Sequence, residues 1–197
     1  MPNGPKKIIV FASGSGSNAE QIILQAQACA WAKVSAVYCN NPNAGVIQRA
    51  ERLGVPVRLF ENQQLNDTEF VLTWLQQDAP DLIVLAGFLR KIPECIVEAF
   101  PRRIVNIHPA LLPDFGGTGM YGMNVHKAVK ASGAQKTGIT IHYVNAAYDE
   151  GDIVFQAEAA LVSDDQPEDI ARKVQELEHE HFAPVVLNLL KQDPHGQ

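Results

Sequence analysis

Asn106 and His108, in the stretch RIVNIHPALLP (103–113), are the side chains whose types and spacing most directly suggest chemistry. They lie two residues apart at the end of an apolar, β-branched run, so in a strand both point to the same side. An amide can hold a developing oxyanion and an imidazole can move a proton near neutral pH, a pairing that suits acyl transfer through a tetrahedral intermediate. A nearby carboxylate would raise the pKa of His108 and fix its tautomer. Asp149, Glu150 and Asp152 share one short loop, and spacing alone does not choose among them. No serine sits in a nucleophile elbow and no cysteine lies in these loops, so a covalent route has no obvious nucleophile. Of the other histidines (His126, His142, His179, His181, His195), only His179-x-His181 is closely spaced. On a helix those two occupy different faces, so no metal site is expected.

A second candidate is the loop Ser13-Gly14-Ser15-Gly16-Ser17-Asn18, which leads from the first apolar run into a helical pattern. Glycines let backbone N–H groups turn inward, and a helix N-terminus adds partial positive charge, so the loop suits a phosphate. Gly14, Gly16 and Ala19 match the dinucleotide spacing G-x-G-x-x-A, but the second strand ends in VYCNNPNAG without the acidic residue that a ribose would need. No Gly-Lys-Ser/Thr occurs, which excludes a P-loop.

Parallel strands must position these loops. The runs KIIVFA, VSAVYC, PVRLF, DLIVLAG and RIVNI show no polar alternation and are separated by helical segments. That predicts an α/β fold: a doubly wound, mostly parallel sheet with helices on both faces. Ile22, Ile23, Ala26 and Ala30 form one apolar side of the first helix, AGVIQRAERLG ends on the C-cap candidate Gly54, and TEFVLTWLQQ carries another helix. TGITIHYV and DIVFQAEAALV predict an antiparallel hairpin at the sheet edge. SDDQPED then opens a long C-terminal helix, with Pro167 in the first turn, a face of Ile170, Val174, Leu177, His181 and Val185, and a kink at Pro184. In such sheets ligands bind beyond the carboxyl ends of the strands. SGSGSN, GFLRKIP, NIHPALLP and the Asp149 turn are therefore expected on one rim.

The 197 residues predict a single domain, 1–197. A hydrophobic share of 46% with 19% charged residues is ordinary for a compact soluble protein. A net charge of −6 without a Lys/Arg cluster argues against a nucleic-acid groove. Cys29, Cys39 and Cys95 have no metal or disulfide spacing and fit a reducing, cytoplasmic setting. The apolar run near the N-terminus is too short for a signal peptide or membrane span, so no membrane role is expected.

FASGSGSNAEQII, LAGFLRKIP, NIHPALLP and GITIHYVNAAYDEGDIVFQ together resemble the folate-dependent formyltransferases, from about residue 6 to 190. Asn-x-His-Pro-x-Leu-Leu-Pro with a downstream Asp-x-Gly is far more specific than any glycine loop. The resemblance implies transfer of the formyl group of 10-formyltetrahydrofolate, as co-substrate and without a metal, to the amine of glycinamide ribonucleotide in de novo purine biosynthesis. It implies a catalytic set of Asn106, His108 and Asp149, which selects Asp149 from the three acidic candidates. It places the ribonucleotide on Gly16, Ser17, Asn18, Pro109 and Glu178. The folate falls to Leu89, Arg90, Lys91, Ile92, Val97, Val144 and Asn145, together with Asn106 and Asp149. The partners implied are these small molecules, with the chain a monomer or homodimer.

The sequence departs from the family pattern at LNDTEF (65–70), where a Ser-Arg-Glu is usual, at DFGGTGMYG (114–122), where a basic residue and Pro-Gly are usual, and at Ala146-Ala147, where an acidic residue is usual. EHEHFAP is one residue longer than the usual spacing around Glu178. One alternative is the same chemistry on another amine acceptor, such as an amino-sugar nucleotide. The other is a non-catalytic nucleotide-binding module, which would need the glycine loop but not Asn106, His108 and Asp149.

Overall fold

The elements follow as β1 (Lys6–Ala12), α1 (Ser17–Gln27), β2 (Ala32–Cys39), α2 (Gly45–Arg52), β3 (Val57–Leu59), α3 (Asn62–Leu65), α4 (Val71–Asp78), β4 (Leu82–Leu85), α5 (Glu94–Ala99), β5 (Ile104–His108), α6 (Met123–Ser132), β6 (Lys136–Tyr143), β7 (Ile153–Ala160) and α7 (Pro167–Lys191). They come from a computed structural model that describes residues 4–67 and 70–192. Thr68 and Glu69 of the divergent LNDTEF stretch, and His195, lie outside the described residues. One seven-stranded sheet has the order β3-β2-β1-β4-β5-β6-β7. β1 to β5 pair in parallel, while β6 runs antiparallel to β5 and β7 antiparallel to β6, the expected edge hairpin.

The absence of alternation in β1 has its expected cause: Ile8 to Ala12 are all fully buried, because both faces of the sheet are covered. Ile8, Val10, Ala12, Val84 and Val105 face a core shared with α1, α2, α6 and α7. Ile9, Phe11, Ile83, Leu85 and Ile104 face the other core, with Val71 and Leu75 of α4 and Ile96 of α5. β1 has β2 on one side and β4 on the other. The loops after β1 and β4 therefore leave in opposite directions and open a crevice between them.

Two local expectations need correction. Ala30 lies beyond α1 and is exposed; the buried side of that helix is Ala19, Ile22, Ile23 and Ala26. On α7 the buried residues are Ile170 and Val174, then Phe182, Ala183, Val186, Leu187 and Leu190, with His181 and Val185 only half-buried. The stripe swings around the helix because its first half turns a polar side to a cavity while its second half is wedged in the core. The helix is continuous across Pro184, which sits on its exposed side. α3, α5 and α6 are too short to announce themselves by periodicity.

Other signals hold. Gly54, at φ 70, directly follows the C-cap Leu53. Gln166 caps α7 reciprocally with Asp169, ahead of Pro167.

Candidate active site

A cavity of about 1180 Å³ opens at the crevice. That exceeds the roughly 300–1,000 Å³ usual for one small ligand and leaves room for two. Its lining includes Gly16, Ser17, Asn18, Leu89, Arg90, Lys91, Ile92, Asn106, His108, Pro109, Val144, Asn145, Asp149 and Glu178. Every site residue expected from the sequence is thus gathered there except Val97. That side chain is half-buried on α5 and packs against the second core instead.

The glycine loop is shaped by close packing. Gly16 is the N-cap of α1 at φ 79, and a Cβ there would stand 2.5 Å from Cβ of Val46. Only glycine meets both demands. Asn40 and Asn41, where a dinucleotide site would want an acidic residue, instead bind Ser13: the Ser13 hydroxyl bonds Asn40 Oδ1 at 2.7 Å, and Asn41 Nδ2 donates to the Ser13 carbonyl at 3.3 Å. The same hydroxyl accepts from the Leu89 amide at 3.1 Å, tying the loops after β1 and β4 together. Across the cavity, Asn18 Nδ2 donates to Glu178 Oε2 at 2.9 Å. Burial pushes the Glu178 carboxyl above its usual range, and the Asn18 bond only partly opposes it.

Asn106 and His108 project from the side of the sheet that carries Ile104, as their spacing requires. The route of Asp149 to them differs from the expectation. Because β6 is antiparallel, Tyr143 pairs with Val105 and the β6–β7 turn begins at the lower end of β5, not on the rim. The turn folds back over the sheet, so that Asn145, Ala147, Tyr148 and Asp149 line the cavity. Its Gly151 is required for this path, since a Cβ would stand 1.7 Å from the Tyr143 carbonyl oxygen. Asp149 adopts φ 55, a left-handed conformation that Asp tolerates better than most residues.

Asp149 ends between two imidazoles: Oδ2 is 3.5 Å from Nδ1 of His108 and Oδ1 is 3.6 Å from Nε2 of His142. It also accepts from the Gly117 amide at 3.0 Å. Burial pushes its carboxyl up. The adjacent imidazoles of His142 and His108 and the Gly117 amide outweigh that, so its pKa falls below the usual carboxylate value. For His108 the balance is the reverse of the expectation: burial lowers its pKa more than Asp149 and the Phe115 carbonyl raise it. The imidazole is therefore neutral at pH 7 in the open cavity. Nε2 stands 2.8 Å from the Phe115 carbonyl, which can only accept, so this nitrogen carries the proton. Nδ1, beside Asp149, is left to take up a second one.

His142 was not singled out by sequence. It pairs with Asn106 across β5 and β6, and its Nε2 lies 3.1 Å from Asn106 Nδ2. Its Nδ1 donates to the Tyr143 carbonyl at 2.9 Å, so Nε2 accepts from Asn106 and orients that amide. The signal available was an imidazole in the largely apolar run GITIHYV. Thr140, also missed, is wholly buried; its hydroxyl accepts from the Leu112 amide at 2.9 Å and donates to the Ala110 carbonyl at 2.7 Å. It thereby holds the loop that follows His108. Among the described residues no group of His, Cys, Asp or Glu could hold a metal ion, and no helix is long and apolar enough to cross a membrane.

Known proteins resemble this chain over most of its length. The formyl transferase family profile matches residues 6–186. The chain is 41% identical over 191 residues to the chloroplastic phosphoribosylglycinamide formyltransferase of Arabidopsis thaliana, covering 92% of this chain and 64% of that protein. It is 34% identical to phosphoribosylglycinamide formyltransferase of Bacillus subtilis (strain 168), covering 98% of both chains. The chain thus spans 64% and 60% of the lengths of two plant relatives, from Arabidopsis thaliana and Vigna unguiculata. The crystal structure of phosphoribosylglycinamide formyltransferase from Bacillus Halodurans superposes with a TM-score of 0.86 at 32% identity, covering 98% of this chain and 100% of that one. With the family profile matching nearly its whole length, the chain belongs to the formyl transferase family.

Proposed function

We propose that the chain transfers the formyl group of 10-formyltetrahydrofolate to the amine of glycinamide ribonucleotide, a step of purine biosynthesis. The observation that carries this reading is the meeting of Asn106, His108 and Asp149 in a cavity large enough for two ligands. The ribonucleotide phosphate lies on the Gly16–Asn18 turn at the start of α1, with Glu178 beside the sugar and amine. The folate lies against Leu89 to Ile92 and the folded-back loop from Val144 to Asp149.

The amine nitrogen attacks the formyl carbon, and the carbonyl oxygen becomes an oxyanion held by Asn106, whose amide His142 aims. Overall one proton must pass from the amine to the departing folate nitrogen. A neutral His108 is suited to this: it takes the proton beside anionic Asp149, then returns it as the carbon–nitrogen bond breaks. Unpaired Cys29, Cys39 and Cys95 favour work in the reducing cytoplasm.

The test mixes purified protein with both substrates and follows release of tetrahydrofolate. Release that requires glycinamide ribonucleotide supports the reading. Release only with an amino-sugar nucleotide, or none with either acceptor, overturns it.

A further inference from the structure

α6 turns its N-terminal end to the cavity. Gly122, its N-cap, and Met123 line the cavity, and so does His126 one turn further in. No side chain caps this helix start and no acidic residue stands in its first turn. Its partial positive charge is therefore uncompensated. His126 is 6% exposed, and its Nδ1 is buried with no hydrogen-bond partner. Orphaned buried polar atoms are few in native proteins, and each calls for a cause. Burial, together with the nearby His108, holds the His126 pKa below its ordinary value, so the ring is neutral until an anion arrives.

The position of α6 indicates which ligand completes it. α6 packs on α7, as does α1, and all three cover the same core. α1 and α7 supply Gly16 to Asn18 and Glu178. The folate-side residues Ile92 and Val144 belong to the opposite core. We propose that the first turn of α6 and His126 form a second anchor for the phosphate of the ribonucleotide, complementing the glycine-rich turn of α1. The proposal rests on the acceptor named under Proposed function. A phosphate brings only acceptor oxygens, so two helix starts and one imidazole N–H match it chemically.

The experiment uses inorganic phosphate as probe, with calorimetric Kd values for the parent, His126→Leu and His126→Asn, steady-state KM values for both substrates, and thermal melts. His126→Leu is expected to weaken phosphate binding and raise the ribonucleotide KM by about tenfold or more, the usual effect of losing a hydrogen bond to a charged group. The folate KM and kcat stay at parental values. His126→Asn, which sets an amide donor where Nδ1 stood, recovers part of the affinity. Unchanged phosphate affinity in His126→Leu, or a rise in the folate KM instead, overturns the anchor. Should the leucine variant not fold, the imidazole ¹⁵N signals of the parent decide: no shift of His126 on adding phosphate overturns it. Phosphate affinity that depends on His126 in a protein unable to formylate glycinamide ribonucleotide supports the anchor while removing the acceptor proposed above.

Discussion

Asp149→Asn probes the site most sharply because it removes one charge and almost no volume. The lost carboxylate stands 3.5 Å from His108 Nδ1 and 3.6 Å from His142 Nε2. Opposite unit charges about 4 Å apart attract by about 4 kcal/mol at an effective dielectric of about 20. Part of that returns as relief from burying the carboxylate. A net loss of about 3–4 kcal/mol remains, equivalent to a drop of about 10²–10³ in kcat. The carboxylate is also the main influence holding the His108 pKa up against burial. Its removal lowers that pKa further, so the acid limb of kcat/KM moves to lower pH. The assay is tetrahydrofolate release at saturating substrates for kcat and at sub-saturating substrates for kcat/KM across the pH range, beside thermal melts showing an intact fold. Near-parental turnover with an unmoved acid limb would refute the reasoning that Asp149 acts by charge on His108.

Other outcomes follow from the same geometry. His142→Ala removes the acceptor that orients Asn106 at 3.1 Å; kcat should fall by about tenfold to a hundredfold, the range for a support one step from the chemistry, and substrate KM values should move little. Gly16→Ala must place a methyl 2.5 Å from Val46 at φ 79, which should cost about 1–3 kcal/mol in chemical denaturation and raise the ribonucleotide KM. His108 and His126 both have folded pKa values held below the ordinary one. The unfolded chain therefore binds more protons as pH falls below about 6.5, and their contribution to stability is lost on acidification. Glu178, shifted up by burial, works in the opposite sense, its cost appearing as pH rises through its folded value. The histidine share is checked by melts at descending pH: the fall in Tm between near-neutral and mildly acidic buffer should be shallower in His108→Gln than in the parent.

Much of this protein is written in short-range chemistry. The strands of the parallel sheet are legible because full burial on both faces removes polar alternation, as in Ile8 to Ala12. The glycine turn is legible because only glycine satisfies the left-handed backbone of Gly16, and the pairing of Asn106 with His108 because a strand repeats every two residues. The start of α7 announced itself through Pro167 and its acidic first turn.

What only the tertiary structure decided depends on contacts between residues far apart in the chain, which no local period encodes. The antiparallel course of β6 sets the Asp149 turn at the lower end of β5. Its return to His108 depends on a backbone approach at Gly151 that no sequence spacing reveals. The role of His142 comes from strand register, which brings it opposite Asn106 from 36 residues away. That Val97 lies outside the cavity lining follows from α5, which turns it toward the second core. The charge state of His108 is likewise a tertiary property: its neighbour Asp149 argues for a proton, and the burial created by the whole fold argues more strongly against one.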